Sequence, residues 1–539
     1  MRLIYLSGVL LLFLWACQSE EGQEEVFDLN RPEFDHALKN GALANEGFRR
    51  SLHFVEGWLQ HRDPETGLIP RNLNADSTIW NAKDAAADNY PFMVLTAAMV
   101  DSALFNGTMK EILTTERNIA TRIKSLPDTY SFTKNDFRDA QIDTGQIIFG
   151  TSEYMKDGLM PLTEWLGPSP WFDRMKEMSL DLHEIAGVVT DLQGHDLGRA
   201  PVEEVNGELL QVLSRLYWAT HNELYLDWAI GIADHYLLDG NLPNEYLRTR
   251  DHGCEIISGL SEIYFTVANE RPDKKEAYQE PYHQFLDMIL AQGRNQDGLF
   301  YNAIEPRSGQ VVDSALADTW GYVLDAYYTV YLVDMKEEYK AAVMKALNNI
   351  NKYRNYPWEG KSSDGYADAI ESALNLYNRE QVPGAADWID SEMQVMWGKQ
   401  QPSGIIEGWH GDGNFARTTL MYNLWKTKGL TVSDWRDDLV FGSEISRNTE
   451  DTLLVSMTAE QDWSGKLIFD KLRHREYLNL PLDYPRINQF PEWYTILEAE
   501  EYLVQNGNKI ETVIGKELRS GYPVQIAAGD TLKMVVYVK

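Results

Sequence analysis

Apolar and polar positions alternate in long blocks that predict paired helices over residues 31–428. In the block 41–60, apolar residues such as Leu52 and Val55 recur at helical spacing, and charged residues interrupt them. The following block, 88–105, is apolar on nearly every side. Because a helix that is apolar all round is buried on both sides, we expect this second block to lie inside a ring that the first block surrounds.

The alternation of a charged helix and an apolar helix recurs along the rest of this region. The more charged stretches are 109–123, 172–185, 223–236, 275–291, 336–353 and 387–397. The more apolar stretches are 153–166, 204–219, 255–267, 317–333, 368–377 and 415–425. Hairpins of this kind, closed into a double ring, predict a mainly α fold, an (α/α)6 or (α/α)7 toroid, and the pattern leaves the number of hairpins open.

Polar clusters that hold Asp, Glu, His or Trp run directly into apolar stretches at six places. They begin at Asp84, Gly194, Arg250, Asp318, Asp364 and Trp409. Their spacing is irregular, which indicates a structural repeat rather than a sequence repeat. In a closed ring all six starts lie at the same end, so the pattern predicts a polar pocket at that end.

The pattern changes after Trp435. Stretches with partial period-two alternation predict strands at 453–457, 466–469, 509–513 and 531–538. Strands of this length, separated by Gly and Asn-Gly turns, are typical of a small β-sandwich. The predicted organisation is a signal peptide over 1–17, an acidic tether over 18–30, a toroid over 31–435 and a C-terminal β-sandwich domain over 436–539.

The first residues resemble a bacterial lipoprotein signal. An apolar run over residues 3–16 follows Arg2 and ends at Cys17, and it is too short to span a bilayer as a helix. We therefore expect Cys17 to be lipidated, and the acidic stretch 18–25 resembles the export signal of Bacteroidota surface lipoproteins. The predicted location is the outer membrane, with a lipid-anchored, surface-exposed chain and a periplasm-facing chain as the alternative.

The charge and cysteine content exclude several functions. The 539 residues carry a formal net charge of −33, which argues against a nucleic acid partner because phosphate binding needs clustered Lys and Arg. Cys254 is the only cysteine after Cys17, so no intramolecular disulfide is expected. The sequence has none of the usual metal-binding motifs, and neither a metal nor a cofactor is predicted.

β-Elimination next to a uronic acid is the first reaction that suits such a pocket. It needs a base, usually Tyr or His, and groups that hold the sugar carboxylate. The candidate bases and acids are His252, His410 and Tyr322. The candidate carboxylate ligands are Arg199, Asn414 and Arg417, and further candidate substrate-binding residues are Asn89, Glu153 and His195.

Glycoside hydrolysis is the alternative, and it needs two carboxyl groups at a set separation. The candidates are Asp88, Glu153, Glu204, Asp318 and Asp364. An acidic residue at a helix start also suits a simple N-cap, which is the structural alternative. A third hypothesis is a surface protein that binds glycans without catalysis, with Trp80, Trp320 and Trp409 as stacking platforms for sugar rings.

Several short motifs carry a resemblance to known proteins. They are the lipidation site at Cys17 and the segments 62–71, 88–92 and 152–159. With the predicted toroid, they resemble toroidal glycan-degrading surface lipoproteins of Bacteroidota polysaccharide-utilisation systems. The architecture is similar to that of unsaturated glucuronyl hydrolases, toroidal polysaccharide lyases and ulvan oligosaccharide dehydratases. The C-terminal β-domain departs from the minimal glucuronyl hydrolase plan.

The resemblance implies an oligosaccharide substrate that contains uronic acid and comes from an algal or plant polysaccharide. We therefore expect a lyase or oligosaccharide dehydratase that works by β-elimination and leaves a C4–C5 unsaturated uronate. A glycoside hydrolase with two catalytic carboxylates is the second hypothesis, and glycan binding alone is the third.

Overall fold

The computed structural model describes residues 27–192, 201–446, 449 and 451–539. Within these residues, fourteen helices alternate between an outer and an inner ring. The outer helices are α1 (Glu33–Leu59), α3 (Lys110–Ile119), α5 (Pro170–His183), α7 (Glu223–Leu237), α9 (Pro272–Gln292), α11 (Glu337–Asn349) and α13 (Pro383–Trp397). The inner helices are α2 (Tyr90–Val100), α4 (Thr144–Glu153), α6 (Pro201–Thr220), α8 (Glu255–Glu270), α10 (Trp320–Asp334), α12 (Ser363–Arg379) and α14 (Asn414–Thr427).

The inner ring closes on itself. Each inner helix or its continuation packs against the next, and α14 packs back against α2, where α1 covers the point of closure. Every residue of α14 is buried, whereas α3 buries only Ile112, Leu113 and Glu116. The predicted toroid is confirmed, and it consists of seven hairpins over the residues that the structure describes.

Three inner helices begin or continue through turns that are not α-helical. π-helical segments span Ala82–Asn89, before α2, and Tyr154–Leu159, which joins α4 to the short helix Met160–Leu166. A 3-10 turn over Asp251–Cys254 precedes α8. Such turns change the direction in which side chains point and are frequent at functional sites. All three contribute residues to one central cavity.

Two antiparallel sheets form the predicted β-sandwich. The strands of the larger sheet lie in the order Leu439–Ile445, Thr452–Ala459, Thr531–Val538, Glu501–Asn506 and Lys509–Ile514. The strands of the smaller sheet lie in the order Tyr522–Ile526, Trp463–Ile468 and Thr431–Val432. In the first of these, Tyr522, Val524 and Ile526 are buried and the residues between them are exposed, which is the period-two pattern of a sheet with one covered face.

Three smaller sheets lie in the loops between toroid helices. Their strands are Ile79–Trp80, Tyr130–Ser131 and Asp136–Phe137 in the first, Thr121–Ile123 and Leu126–Pro127 in the second, and Leu247–Arg248, Tyr301–Glu305 and Gln310–Leu316 in the third. These loops surround the ends of the inner helices.

Residues 478–494 leave the β-sandwich and run across the ring, and we call this segment the strap. Arg486 donates two hydrogen bonds to the carboxylate of Glu164, at 2.7 and 2.8 Å. Tyr484 donates a hydrogen bond to Glu262 at 2.9 Å. Glu164 and Glu262 lie at or beyond the middle of their helices, and Ile487 of the strap reaches the central cavity.

The predicted signal peptide, Cys17 and most of the acidic tether lie outside the described residues. Among the residues that are described, no helix combines the length and the apolar character that are needed to cross a membrane.

Candidate active site

A narrow polar cavity lies at the polar end of the ring. Five of the six predicted clusters contribute to its wall, and the sixth, with His195 and Arg199, lies outside the described residues. Among the predicted site residues, those that line the cavity are Asp88, His252, Tyr322, Asp364, Asn414 and Arg417. Ile487 of the strap forms part of the same wall.

The imidazole of His252 is surrounded by carboxylates. Its Nε2 lies 3.5 Å from Asp251 Oδ1. Its Nδ1 lies 3.7 Å from Asp157 Oδ2 and 3.9 Å from Glu208 Oε1. Burial lowers the pKa of His252, but the charges of Glu153 and Asp251 raise it well above its usual value. In this arrangement His252 holds its proton and is not available as the predicted base.

His410 meets two carboxylates of the first π-helical segment. Its Nε2 lies 3.5 Å from Asp88 Oδ2 and 3.9 Å from Asp84 Oδ1. Burial lowers the pKa of His410, but the charges of Asp88 and Asp84 raise it above the usual value. Burial also raises the pKa of Asp88 to about 7, against the opposing charge of His410. Asp88 therefore exchanges its proton near neutral pH.

Asp157 lines the same cavity as Asp88 but has two hydrogen-bond donors of its own. Lys156 Nζ and Asn488 Nδ2 donate to its Oδ1 at 2.7 and 3.0 Å. Its Oδ2 has no hydrogen-bond partner within the described chain. Burial raises the pKa of Asp157, but the charges of Lys156 and His252 outweigh it and lower the pKa. The sequence pattern does not point to Asp157, because this residue lies inside an inner helical stretch and not at a helix start.

Asn488 of the strap joins three sides of the site. Besides its bond to Asp157, its Oδ1 accepts from Arg417 Nη1 at 3.1 Å and its N–H donates to Glu371 Oε1 at 2.8 Å. Its φ is +62°, in the left-handed region that Asn tolerates better than most residues. The sequence predicts Asn488 in the β-domain, and its pattern gives no sign of a contact with the pocket.

Tyr322 and Arg417 form one closed network. Tyr322 Oη donates to Glu371 at 2.8 Å, and Arg417 Nη2 donates to Asp368 at 2.6 Å. Arg417 Nε lies 2.7 Å from Glu371 Oε2. Burial raises the pKa of Tyr322 well above its usual value, and Arg417 opposes this only in part. Tyr322 therefore keeps its proton, and neither residue is free for the predicted role in elimination.

Each cation that lines the cavity already faces a protein carboxylate. Lys156 Nζ lies 2.7 Å from Asp157 and 2.5 Å from Glu255. Arg417 is taken up by its own network, and His252 is surrounded by acids. Carboxylates outnumber these cations among the described residues of the wall, so the predicted Arg clamp for a uronate is not available.

Thr319 and not Asp318 is the N-cap of α10, so the simple N-cap alternative does not describe Asp318. Its Oδ1 accepts hydrogen bonds from the N–H of Asp251 at 3.2 Å and from its own neighbour Thr319 at 2.9 Å. Burial raises the pKa of Asp318 to about 8. It does not line the cavity, which corrects its prediction as a catalytic residue.

Asp364 faces the cavity and has a partner from the next inner helix. Asn414 Nδ2 donates to Asp364 Oδ1 at 2.8 Å. Burial, with the charge of Asp368, raises the pKa of Asp364 well above its usual value. Asn414 is thus bound to a protein carboxyl group and not placed as a free ligand for a substrate carboxylate.

The predicted stacking platforms differ in exposure. Trp80 and Trp320 are 1% and 0% exposed, so neither offers a ring face to a sugar, and Trp320 packs edge-on against Trp388. Asn89 is also fully buried, and its amide has no hydrogen-bond partner in the described chain. All three side chains are buried, and polar neighbours in sequence do not reveal which way a side chain points.

Trp409 alone of the three tryptophans is exposed, at 77%. It stands at the edge of a wider depression, which shares Asp364 with the central cavity. The guanidinium of Arg71 lies 5.3 Å from the centre of its ring on one side. A sugar ring at the mouth of the site can therefore stack on Trp409.

Two groups of side chains have the composition of metal ligands. Atoms of Glu153, Glu204, Glu208 and His252 lie within 4.8 Å of one another, as do atoms of Asp84, Asp88 and His410. Arg71 already neutralises the second group through Asp84, at 2.6 Å. Glu153 and Glu204 are buried in the first group and do not line the cavity, although both were candidates for substrate binding or hydrolysis.

No family model matches this chain, and no curated protein matches it in sequence. Solved structures do match it in shape. An inactive variant of the α-1,6-mannanase GH76A of Salegentibacter sp. HEL1_6, in complex with α-1,6-mannotetrose, is 9% identical, covers 70% of this chain and 97% of its own, and has a TM-score of 0.40.

Two further matches are to other carbohydrate-active proteins. A possible member of the GH105 family from Salmonella enterica is 13% identical, covers 51% of this chain and 81% of its own, and has a TM-score of 0.38. A GH127 β-L-arabinofuranosidase from Geobacillus stearothermophilus T6 is 12% identical, covers 73% of this chain and 72% of its own, and has a TM-score of 0.36. Likeness at this level does not transfer an activity or a substrate to this chain.

Proposed function

We propose that this protein is a glycoside hydrolase that acts on oligosaccharides in the central cavity. The observation that carries the proposal is the pair Asp88 and Asp157, two carboxyl groups in one cavity with opposite surroundings. They lie on π-helical segments that pack against each other. The charged groups that act on Asp88 are carboxylates and the imidazoles of His410 and His252, whereas Asp157 is fixed by Lys156 and Asn488.

Asp88 is the proposed general acid and Asp157 the proposed base or nucleophile. Glycoside hydrolysis needs one carboxyl group that carries a proton to the leaving oxygen and one that stays ionised. A pKa of about 7 lets Asp88 hold a proton at neutral pH. The free Oδ2 of Asp157 leaves a lone pair for a water molecule or the anomeric carbon.

The charge of the cavity favours hydrolysis over elimination. Elimination requires a cation that neutralises the uronate carboxylate, and the cations of the wall are already paired. The carboxylates of the wall would repel a uronate, but they do not repel an uncharged sugar ring. The proposed substrate is therefore an oligosaccharide whose reacting residue is uncharged, with a neighbouring sugar stacked on Trp409 at the mouth.

The test is a product screen on neutral and uronate oligosaccharides by mass spectrometry and ultraviolet absorbance. Hydrolysis adds one water molecule to the products and leaves the absorbance unchanged. We expect Asp88→Asn and Asp157→Asn to lower turnover about 100-fold or more, the range for loss of a general acid or base. A rise in absorbance from a C4–C5 double bond would show elimination and would end the proposal.

A matched control is available on the outer ring. Asp287 pairs with Lys336 at 2.7 Å, as Asp157 pairs with Lys156. It lies on the outer helix α9 and does not line the cavity. We expect Asp287→Asn to retain turnover. Melting temperatures of all three variants separate a loss of catalysis from a loss of folding.

We also propose that Cys17 anchors the chain to the outer membrane. The proposal rests on the apolar run that ends at this residue and on the acidic stretch that follows it. Cys17→Ala should abolish incorporation of labelled palmitate and leave the precursor unprocessed. Labelling of the variant at the wild-type level would exclude this anchor.

A further inference from the structure

We propose that Glu153, Glu204, Glu208 and His252 bind one divalent metal ion in the wall behind the cavity. The four residues come from three elements, the end of α4, one face of α6 and the turn before α8. One potential ligand atom from each lies within 4.8 Å of the others. Glu204 and Glu208 are four residues apart, so they share a face of their helix.

The unpaired carboxylate of Glu208 is the observation that points to a bound ion. Glu208 is 0% exposed, and neither of its oxygens has a hydrogen-bond partner in the described chain. Its Oε1 faces His252 Nδ1 at 3.9 Å. An isolated buried carboxylate is unfavourable, so such groups are usually paired with a cation or bound to a metal.

The nearest protein cations do not satisfy this group. Lys156 is held by Asp157 and Glu255. Arg248 donates to one oxygen of Glu204 at 3.0 Å, which leaves the other oxygen of Glu204 for a ligand. The described surroundings thus offer Glu153 and Glu208 no Lys or Arg partner of their own.

The geometry suits a metal that accepts both imidazole and carboxylate ligands. Ligand atoms around an ion with bonds of about 2.1 Å lie about 3 to 4 Å apart, so the four atoms need to move together by roughly 1 Å. An imidazole with three carboxylates favours Mn²⁺ or Zn²⁺ over Mg²⁺ and Ca²⁺, which prefer oxygen ligands alone. The ion would take the place of the proton on His252 Nδ1.

The site adjoins the proposed hydrolytic centre, because its ligand His252 lines the cavity and faces Asp157 Oδ2 at 3.7 Å. Three carboxylates with one divalent ion still carry negative charge, so the wall does not become a receptor for a uronate. The motif was absent from the sequence because only two of the four ligands lie on the same helix. The other two come from distant elements that the closed ring brings together.

The test uses the tag-free full chain after dialysis against EDTA, and the probes are MnCl₂, ZnCl₂ and CaCl₂. Calorimetry should show one equivalent of Mn²⁺ or Zn²⁺ per chain, and the melting temperature should rise by several degrees. Ca²⁺ should bind at least 10-fold more weakly. Bound Mn²⁺ should show a nitrogen coupling in its electron spin echo spectrum, which is the signature of the imidazole ligand.

The decisive variants are Glu208→Gln and, independently, Glu153→Gln. Each keeps the shape of the side chain, and each should weaken binding at least 10-fold. Asp84→Asn is the matched control in the other acidic cluster and should leave binding unchanged. The proposal is overturned if no ion binds to the wild type, or if only Asp84→Asn weakens binding. It is also overturned if Glu208→Gln raises the melting temperature while added metal leaves the melting temperature of the wild type unchanged.

Discussion

Asp84 and Asp88 lie one turn apart on the same π-helical segment, but their pKa values are shifted in opposite directions. Arg71 Nε lies 2.6 Å from Asp84, and although burial raises the pKa of Asp84, the charges of His410, Lys83 and Arg71 lower it overall. Asp88 has no such guanidinium, and burial raises its pKa to about 7. The charges of Lys83 and Arg71 thus distinguish Asp84 from Asp88 and leave Asp88 as the carboxyl group that can donate a proton near neutral pH.

Activity should depend on the proton of Asp88. The value of kcat/KM is expected to fall as pH rises through about 7, because the acid is then lost. The groups that act on this proton are His410, Asp157, His252 and Asp84. A pH profile of hydrolysis checks this expectation, and an alkaline limb that persists unchanged in a residually active Asp88→Asn variant would contradict it.

The same proton should affect stability. The pKa of Asp88 is higher in the folded chain than its ordinary value of 3.8, so the folded state binds the proton more tightly. Its contribution to stability is complete below pH 3.8 and is lost as pH rises through about 7. Relative to Asp88→Asn, the wild type should lose stability over this interval, which urea unfolding at several pH values measures.

Residues at helix starts were predictable, and residues inside helices were not. Asp88 and His252 stand in polar clusters before apolar helices, and the closed ring brings them to one cavity. Asp157 lies in the middle of an apolar stretch, where only the π-helical turn directs it inward. Trp80 and Trp320 were predicted as exposed platforms but are buried. The sequence pattern of an aromatic residue beside a polar cluster is the same whether its side chain is buried or exposed.

At the scale of elements, a close backbone contact between the start of α14 and the first π-helical segment holds Asp88 in place. A Cβ atom on Gly413, just before α14, would lie 2.1 Å from the carbonyl oxygen of Asp88. The φ of Gly413 is −78°, so an L residue is allowed there and only the space is missing. The start of α14 and the end of the π-helical segment therefore approach each other because position 413 has no side chain.

Gly413→Ala should displace this contact. We expect a loss of about 1–3 kcal/mol in the free energy of unfolding, which is typical of overpacking, together with lower activity. Gly408→Ala is the matched control in the same loop, because nothing lies within 4 Å of its Cβ position. Equal melting temperatures for the two variants would show that the contact is not tight.

Asn488 of the strap connects the C-terminal part of the chain with the candidate site in the ring. Asn488 binds Asp157 and Arg417 and has a left-handed backbone. Asn488→Gly removes the side-chain hydrogen bonds but tolerates the left-handed backbone conformation. Asn488→Ala removes the same bonds and also strains the backbone, which costs about 1 kcal/mol more in the free energy of unfolding. We expect both variants to lower kcat, with the lower melting temperature for Ala. A change in KM alone would show that Asn488 holds substrate and does not position Asp157.

At the scale of the whole molecule, the chain ends hold the ring closed. The outer helix α1 packs on the larger sheet, where Ser456 Oγ donates to the carbonyl of Phe34 at 2.8 Å and Asn45 Nδ2 donates to the carbonyl of Leu439 at 2.9 Å. The period of the helices predicted the ring, and the period-two strands predicted the sandwich. Neither pattern contains the strap, because its residues have no period and its partners lie far away in sequence.

The joint between ring and sandwich is a buried charge network, and it should make the two parts unfold together. Arg486 binds Glu164 with two hydrogen bonds, and both side chains are 1% exposed. Although burial raises the pKa of Glu164, the charge of Arg486 lowers it overall. The stabilisation from this pair is therefore present above pH 4.5, the usual value for Glu, and is lost as pH falls. Arg486→Ala leaves a buried carboxylate without its partner, which costs about 3–5 kcal/mol.

Calorimetry of the full chain should give one transition, and Arg486→Ala should move that whole transition to lower temperature. Arg475→Ala, at an exposed position beside the strap, should leave it in place. If the variant instead splits the wild-type peak, or if the wild type already melts in two steps, the strap is a surface contact and not the bond between the parts. A single shifted peak means that the pocket, whose wall includes Ile487, exists only while the sandwich is folded.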